Sequence, residues 1–302
     1  MNKNVIVTGS QGLLGHSLCN LNKNFIQHSR LCSDLCDYEK TKIWMKEKNP
    51  DTVIHCAAKV GGVLANCSNN LDFYFKNKLL NKNIIDISVE LNVKNFISIL
   101  STCIFPDDAN YPLTADQIDN GDPHNTNSGY AYAKRLLYHE TKYIAKLLNK
   151  NWFSIIPTNL YGKNDNFNLQ DSHIIPALIH KAYIAKQNND PFVIWGDGTP
   201  VRQFLYIEDF SNIITWSLDN WKSTQPLMAV NEQPYTIFEV AIKIANIIGI
   251  SHNKIVFDTS KPKGQMRKPA KSDVNWYKFT SLDSGLEQTI DWFLKNYDTI
   301  RK

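Results

Sequence analysis

The sequence predicts an α/β protein in which a doubly wound parallel sheet is followed by a smaller second α/β domain. Three observations carry this prediction: short β-branched runs alternate with segments of helical period, a glycine-rich turn follows the first run, and the pattern loosens after Tyr161. Strands that alternate with helices along a chain assemble into parallel sheets with helices on both faces. A chain of 302 residues has room for about two domains, at roughly 100–200 residues each.

The first predicted domain begins with a strand at residues 5–7, which leads into a turn and a helix. Apolar runs bounded by polar residues predict further strands, and segments with apolar residues at helical spacing predict helices. The strands are expected at residues 52–56, 95–100 and 153–157, and the helices at 79–91 and 131–148.

The second predicted domain follows Tyr161, with a loop at 164–168 and helices at 174–186 and 236–248. A strand at 204–207 and an amphipathic helix at 210–218 are expected to return to the first domain. The predicted division is therefore discontinuous. It consists of a dinucleotide-binding domain over 1–163 with 203–222 returning to it, and a substrate domain over 164–202 and 223–302.

Composition narrows the class of partner. The hydrophobic fraction of 43% and the charged fraction of 21% are typical of a folded globular protein. The formal net charge is only +4 and the basic residues are scattered, so no nucleic-acid partner is expected. No apolar run approaches the roughly 18 residues needed to span a bilayer, so no membrane partner is expected either.

The cysteines indicate the redox environment. All six lie within the first 103 residues of the chain, with no Cys-x-x-Cys pair. This pattern predicts reduced thiols and a cytoplasmic location rather than a disulfide framework, and no metal site is expected.

The glycine turn is the first functional signal. Gly9, Gly12 and Gly15 are spaced Gly-x-x-Gly-x-x-Gly between the first strand and the first helix. Free N–H groups and the positive end of the helix dipole meet at a helix N-terminus, and glycines let a pyrophosphate approach the main chain. The turn thus predicts a Rossmann-type dinucleotide site, and the alternative is glycines in an ordinary loop. Its expected residues are Gly9, Ser10, Gln11, Gly12, Leu13, Leu14 and Gly15.

The end of the second predicted strand indicates which dinucleotide binds. NAD sites usually place a carboxylate there, about 20 residues after the glycines. Residues 25–30 contain no acid, and the first one is Asp34. Arg30, with Ser29 beside it, is suited to a 2′-phosphate. NADPH is therefore predicted over NADH, and the alternative is Arg30 as a plain surface cation.

The segment Tyr130-Ala-Tyr-Ala-Lys134 is the second functional signal. At spacing i, i+4 its tyrosine and lysine share one helix face. A tyrosine works poorly as an acid or base at neutral pH unless a nearby cation stabilises its phenolate, which Lys134 can do. Ser101, just past a predicted strand, would bind the same substrate oxygen. We predict Ser101, Tyr130 and Lys134 as catalytic residues, with Tyr132 or a core tyrosine as the alternative.

Further motifs cover nearly the whole chain. They are His55-Cys-Ala-Ala-Lys-Val-Gly-Gly62, Ser101-Thr-Cys-Ile-Phe-Pro106, Pro157-Thr-Asn-Leu-Tyr-Gly162, Ser172-His-Ile-Ile-Pro-Ala-Leu178 and Trp195-Gly-Asp-Gly-Thr-Pro200. Together with the glycine turn and Tyr-x-x-x-Lys, these motifs resemble the extended short-chain dehydrogenase/reductase family and, within it, the GDP-L-fucose synthases.

The resemblance implies a bifunctional enzyme that converts GDP-4-keto-6-deoxy-D-mannose to GDP-L-fucose, by epimerising carbons 3 and 5 and reducing carbon 4 with NADPH. Epimerisation beside a ketone needs a base on one face, an acid on the other, and stabilisation of the enolate. By resemblance Cys103 is the base, favoured as thiolate by nearby cations, and His173 is an acid of ordinary pKa. Without the resemblance, Cys103 is as well explained as a buried structural thiol and His173 as a core or helix-capping residue.

The resemblance also assigns binding residues. Those for the GDP-sugar are Lys181, Trp195, Arg202 and Lys268, and Lys181 stands where bacterial relatives have a second arginine, so a bidentate contact is lost. Beyond the turn and Arg30, the NADPH/NADP+ site is expected to include Asp34, Ala57, Ala58, Tyr130, Lys134 and Asn159.

The family's members are usually homodimers joined through a four-helix arrangement that contains the Tyr-x-x-x-Lys helix, so a homodimer is expected. Part of its apolar face would come from Leu136, Leu137, Ile144 and Leu147, which core packing explains equally well. Two other functions stay open: the same chemistry on a related GDP-4-keto sugar of colitose or 6-deoxyheptose type, and a nucleotide-binding regulator without turnover.

Overall fold

The computed structural model describes residues 4–260, Met266 and residues 268–302. Its strands are β1 (Val5–Thr8), β2 (Ile26–His28), β3 (Thr52–His55), β4 (Asn95–Ile99), β5 (Asn151–Pro157), β6 (Asn159–Tyr161), β7 (Phe192–Trp195), β8 (Val201–Tyr206), β9 (Leu227–Ala229), β10 (Pro234–Thr236) and β11 (Ile255–Asp258). Its helices are α1 (Leu13–Leu21), α2 (Tyr38–Lys48), α3 (Val63–Ser68), α4 (Asn70–Glu90), α5 (Ser128–Leu147), α6 (Ile174–Asn188), α7 (Ile207–Asn220), α8 (Ile237–Ile248) and α9 (Leu282–Asn296). Every helix within the described ranges is too short or too polar to span a bilayer.

The largest sheet has six parallel strands in the order β2-β1-β3-β4-β5-β9. The chain winds outward from β1 in both directions, with β2 on one side and β3 on the other. The predicted doubly wound parallel sheet is therefore confirmed. In such sheets a ligand binds outside the carboxyl ends of the strands where the winding reverses, which here is between β1 and β3.

Each face of this sheet is covered by its own cluster of buried side chains. Ile6 packs in one cluster with Ile84 of α4, whereas Val7 packs in the other with Leu18 of α1 and Ile213 of α7. Successive strand residues point to opposite faces. All of β1 is buried, as expected of a parallel strand covered by helices on both sides.

The remaining strands form two small sheets, one of three strands in the order β10-β8-β6 and one that pairs β11 with β7. Helices α6, α8 and α9 close a separate core against them, with Ile179, Ile244 and Phe293 fully buried. The second, smaller α/β unit expected after Tyr161 is present.

The segment expected to return to the large sheet does so only in part. Helix α7 packs on α1, and the Ser211 hydroxyl donates to Ser17 Oγ at 2.8 Å. The strand before it, β8, pairs instead with β6 and β10. The position beside β5 is taken by β9, with Ile155 opposite Leu227.

Helix lengths differ from the expected ones where polar residues are buried. The helix predicted at 79–91 is α4, which starts at Asn70 and buries Phe73, Asn77, Asn81 and Asn83 on its inner side. Because asparagine side chains occupy part of the buried face of α4, the apolar residues alone do not show the helical spacing on which the prediction depends. Helices α2, α3 and α9 have no counterpart among the predicted helices.

Candidate active site

The glycine turn between β1 and α1 leaves no room for side chains. Gly9 has φ +68°, and a Cβ on it would lie 2.8 Å from the Cα of Ala57. A Cβ on Gly15 would lie 2.3 Å from the Gly9 carbonyl oxygen, and the Gly12 N–H donates to that same oxygen at 2.9 Å. The alternative of glycines in an ordinary loop does not fit such tight packing.

The N-terminus of α1 is open to a ligand. Gly12 occupies the N-cap position, no described side chain caps the helix, and its first turn carries no acid. Main-chain N–H groups at this end therefore suit a pyrophosphate. The side chains of Ser10 and Leu14 point away from this end, because the Ser10 hydroxyl donates to the His28 carbonyl at 3.0 Å and the Leu14 side chain lies in the core. The Leu14 N–H still belongs to the first turn of α1.

Substituting Gly15 by alanine is expected to weaken NADPH binding about tenfold to a hundredfold. The new methyl must displace the Gly9 carbonyl, and overpacking of this kind costs about 1–3 kcal/mol. Fluorescence titration with NADPH measures the affinity, and thermal unfolding measures the accompanying loss of stability. An alanine variant that binds NADPH as tightly as the wild type would contradict the proposed role of this turn.

The end of β2 lies beside the turn, since β2 pairs with β1. Arg30 follows this strand and is solvent-exposed. The Asp34 carboxylate accepts the Cys36 N–H at 2.9 Å and so takes part in a turn of its own. Ala57 donates its N–H to Thr8 Oγ1 and contacts Gly9, which places it at the switch point. These positions suit a 2′-phosphate at Arg30 better than a ribose hydroxyl at Asp34.

The predicted serine, tyrosine and lysine meet where β4 ends against α5. Ser101 follows β4, and its Oγ accepts the Cys103 N–H at 3.3 Å, which starts a 3-10 helix over Thr102–Ile104. The fully buried Lys134 donates to the Ile99 carbonyl at 2.7 Å, and its Nζ lies 5.7 Å from the centroid of the Tyr130 ring.

Tyr130, not Tyr132, faces this lysine. Tyr132 is 41% exposed, and its hydroxyl donates to Asp122 on the outer side of α5. Burial raises the pKa of Tyr130, and the nearby Cys103 adds to the effect. Burial lowers the pKa of Lys134 to about 8. The raised pKa favours the neutral phenol in the free protein, which suits the predicted role of Tyr130 as a proton donor.

Cys103 directly follows Thr102, the residue at which Lys268 contacts the loop after β4. Its side chain is buried, and the Lys268 ammonium donates to the Thr102 carbonyl beside it at 3.5 Å. Burial raises the pKa of the Cys103 thiol, whereas Lys268, the Ser101 hydrogen bond and Lys134 act against this rise. The neighbouring cations are present as expected. The rise in the thiol pKa that burial causes is nevertheless larger than the fall that these cations cause.

His173 is the residue that immediately precedes α6, and its side chain is exposed and makes no cap hydrogen bond. Its loop rests on the first domain, because the Asp171 carbonyl accepts the Gly62 N–H at 2.8 Å. The surrounding protein lowers the pKa of His173 by desolvation, and Asp171 acts in the opposite direction. An exposed side chain does not fit a core histidine, and the lack of a side-chain hydrogen bond at the N-cap position does not fit a helix-capping one.

The expected substrate residues lie in two pairs. The Lys181 ammonium sits 3.9 Å from the centroid of the Trp195 ring. Arg202, on β8, donates to the Val201 carbonyl at 2.8 Å, and its positive charge helps lower the pKa of Lys268. The Asn159 amide, by contrast, donates to the Gln203 carbonyl at 2.9 Å and supports the β6–β8 pairing.

Sequence reasoning missed Gln203, a buried amide beside Arg202. The sequence feature that could have indicated it is a polar residue immediately before the apolar run 204–207. In the part of the chain that the structure describes, no three His, Cys, Asp or Glu side chains gather as a metal-binding group.

Comparison with known proteins agrees with this geometry. The model of the NAD dependent epimerase/dehydratase family matches residues 5–231. The GDP-L-fucose synthase of Dictyostelium discoideum is 37% identical, over 99% of this chain and 98% of the relative. The GDP-L-colitose synthase of Yersinia pseudotuberculosis is 34% identical, over 97% and 99%. The crystal structure of a GDP-L-fucose synthetase from Naegleria fowleri bound to NADP superimposes with a TM-score of 0.91 at 35% identity, covering 100% of this chain and 95% of that one.

Proposed function

The chain belongs to the NAD dependent epimerase/dehydratase family, and on that basis we propose that it is an NADP-dependent GDP-L-fucose synthase. Its reaction is the 3,5-epimerisation and 4-reduction of GDP-4-keto-6-deoxy-D-mannose. One observation carries this proposal: a cysteine, two residues after the serine that follows β4, lies beside the Tyr130–Lys134 pair. A reductase without epimerase activity needs the pair but not the thiol.

The epimerase half needs a proton taken from one face and returned on the other. The thiolate form of Cys103, which Lys268, Ser101 and Lys134 favour against the effect of burial, removes the proton from the carbon beside the ketone. The carbon–hydrogen electron pair moves into the enolate. Ser101 and Tyr130 donate hydrogen bonds to the enolate oxygen. The imidazolium form of His173, which Asp171 favours against desolvation, returns a proton to the opposite face and re-forms the ketone. Cys103 then loses its proton and His173 regains one through solvent, which resets both for the second carbon.

The reductase half depends on a proton donor at the carbonyl oxygen. The glycine turn would hold the pyrophosphate of NADPH and Arg30 its 2′-phosphate, which the missing room for Cβ atoms at Gly9 and Gly15 supports. When bound, NADPH supplies the hydride for carbon 4. Tyr130 gives its phenolic proton to the oxygen there, and the nearby ammonium of Lys134 stabilises the phenolate that results.

The test is to incubate the protein with GDP-4-keto-6-deoxy-D-mannose and NADPH. We expect loss of the NADPH absorbance and formation of GDP-L-fucose, identified by chromatography and mass. NADPH binding with neither change would instead support a regulator without turnover.

A related GDP-4-keto sugar of colitose type is the second candidate, and the 34% identity to a GDP-L-colitose synthase favours it. The two substrates differ at a hydroxyl, a distinction that depends on pocket shape. Comparing kcat/KM for both sugars decides between them, and a higher value for the colitose-type sugar would replace the first proposal.

Arg30→Ala is expected to raise the KM for NADPH about tenfold to a hundredfold and to leave the KM for NADH unchanged. Hydrogen bonds to a charged group contribute about 1.5–3 kcal/mol, and only NADPH carries the 2′-phosphate. Lys23→Ala, which removes another exposed cation near β2, is the matched control. An unchanged KM for NADPH would mean that Arg30 is a plain surface cation.

We also propose a homodimer formed through α4 and α5, which pack side by side. Leu71, Phe75 and Leu79 lie on one face of α4 at spacing i, i+4, i+8, and all three are exposed. An open groove of about 790 Å³ runs between Leu71 and Leu136. The expected interface residue Leu137 is buried in the core instead.

Analytical ultracentrifugation should therefore give twice the monomer mass, and Leu71→Glu with Phe75→Glu should give the monomer. Charged residues in place of apolar contacts cannot be buried without a large cost. Leu294→Glu, at an exposed leucine of α9, should remain dimeric. A wild-type protein that sediments as a monomer would overturn this assembly.

We propose that residues 1–163, together with helix α7 (Ile207–Asn220) of the predicted returning segment 203–222, bind the cofactor, and that residues 164–202 and 223–302 bind the sugar nucleotide. The strand part of 203–222 belongs to the second unit, because β8 pairs with β6 and β10. Residues 1–3, 261–265 and 267 of these ranges lie outside the described residues. We propose a reducing, cytoplasmic compartment, which the six unpaired cysteines support.

A further inference from the structure

Gln203 is a buried amide whose hydrogen bonds all go to the main chain of other segments. It lies on β8 directly after Arg202, and only 4% of its surface is exposed. Its Oε1 accepts the Ala270 N–H at 2.8 Å, and its Nε2 donates to the Ala270 carbonyl at 3.2 Å and to the Glu232 carbonyl at 3.0 Å. Both polar groups of Ala270 are thus bound by one side chain, 67 residues away in the chain.

The segment 268–272 has a second set of contacts on its other side. Leu113 donates its N–H to the Pro269 carbonyl at 2.8 Å and accepts the Lys271 N–H at 3.0 Å. Leu113 belongs to the loop that follows the serine and cysteine of the site. The segment is therefore held between β8, from the second unit, and the active-site loop of the first.

These contacts hold Lys268 close to the residue that precedes Cys103. Its Nζ lies 3.5 Å from the Thr102 carbonyl oxygen, one residue before Cys103. The charged groups that act on Lys268 are Cys103, Arg202 and Asp107. The titratable groups that act on Cys103 or feel its charge are Lys268, Lys134, Tyr130 and Arg135. Among these, Lys268 has the largest effect in favour of the thiolate.

We propose that Gln203 is a positioning residue, which fixes the segment 268–272 so that the Lys268 ammonium stands beside Cys103 and stabilises its thiolate. Lys268 then has a role at the thiol besides the diphosphate contact that the resemblance implies. The inference rests on the proposed function only where it treats Cys103 as the epimerase base. The contacts themselves can be tested without substrate.

The test measures the titration of Cys103 in the ligand-free protein. Wild type, Gln203→Met, Lys268→Met and the double variant are alkylated with iodoacetamide across a range of pH, and the Cys103 peptide is quantified by mass spectrometry. The midpoint of the rate profile reports the pKa, because the thiolate is the nucleophile. The plateau at high pH reports access of the reagent.

We expect Gln203→Met and Lys268→Met each to move the midpoint upward. Below the midpoint this slows alkylation about tenfold for a shift of about one pKa unit. The double variant should show no further shift, because Gln203 acts through Lys268. Lys268→Arg should keep the wild-type midpoint. Gln288→Met, at a half-buried glutamine of α9 that bonds Tyr206, should leave the midpoint unchanged.

A merely structural role for Gln203 gives a different result. Loosening of the site admits water, which lowers the pKa of a buried thiol and raises the plateau. A downward or unchanged midpoint in Gln203→Met, or additive shifts in the double variant, would overturn the proposal. If Gln203→Met does not fold, as judged by circular dichroism, Gln203→Asn keeps the amide but is one carbon too short to span Ala270, and the same upward shift is expected. Absence of sugar turnover with the midpoint shift intact would overturn the proposed function alone.

Discussion

Cys103→Ser is expected to slow exchange of the carbon-3 and carbon-5 hydrogens with solvent about a hundredfold to ten-thousandfold, the range that one general acid or base contributes. A serine hydroxyl is a far weaker acid than a thiol, so the anion that removes the proton is scarcely formed. Incubation with the keto sugar in D₂O, followed by mass spectrometry of the sugar nucleotide, counts the deuterium taken up.

The effect should be confined to proton transfer. NADPH affinity should stay at the wild-type value, because the glycine turn and Arg30 are unchanged. Cys32→Ser, at an exposed cysteine away from the site, is the matched control and should exchange normally. Deuterium uptake at the wild-type rate in Cys103→Ser would mean that another residue is the base.

Tyr130→Phe is expected to slow reduction about a hundredfold to ten-thousandfold while deuterium still enters the sugar. The variant removes the phenolic proton that neutralises the oxygen at carbon 4, and this loss falls within the usual effect of one acid. Exchange should persist because Cys103 and His173 remain and Ser101 still binds the enolate oxygen. Loss of NADPH absorbance and deuterium uptake, followed in the same sample, separate the two steps.

The second tyrosine of the same motif is the control. Tyr132→Phe removes an exposed hydroxyl that donates to Asp122, so both steps should run at wild-type rates. If Tyr132→Phe abolished reduction and Tyr130→Phe did not, the assignment of the acid would be reversed. The same measurements distinguish an enzyme from a regulator. A regulator would show neither reduction nor deuterium uptake in the wild type or in either variant.

Much of the large sheet and its turn follows from local sequence. The spacing of Gly9, Gly12 and Gly15 specifies a tight turn at one place in the chain, because Cβ atoms on Gly12 and Gly15 would approach the carbonyl oxygen of Gly9 in the turn itself. Only the contact at Gly9 is long-range, since it involves Ala57 after β3. Tyr130 and Lys134 are four residues apart on one helix, so their shared face follows from helix geometry alone. The carboxyl ends of parallel strands meet at one edge, which brings Ser101 near the turn.

Long-range contacts decided the rest. The strand β8 is apolar enough for either sheet, and its pairing with β6 and β10 depends on β9 occupying the edge beside β5. The Gln203 amide and Ala270 are far apart in sequence, and neither carries a signal of the other.

The protonation states were also decided by the tertiary structure. The sequence predicts Tyr130 as a proton donor beside a cation, but it does not show that burial raises the pKa of the phenol. The sequence predicts His173 as an acid of ordinary pKa, yet desolvation by the surrounding protein lowers that pKa. The sequence alone determined which chemical groups the protein has and where the turn and helices present them. Their charges were set only by folding, because the free energy of an ion depends on the whole surrounding protein and solvent rather than on its neighbours in the chain.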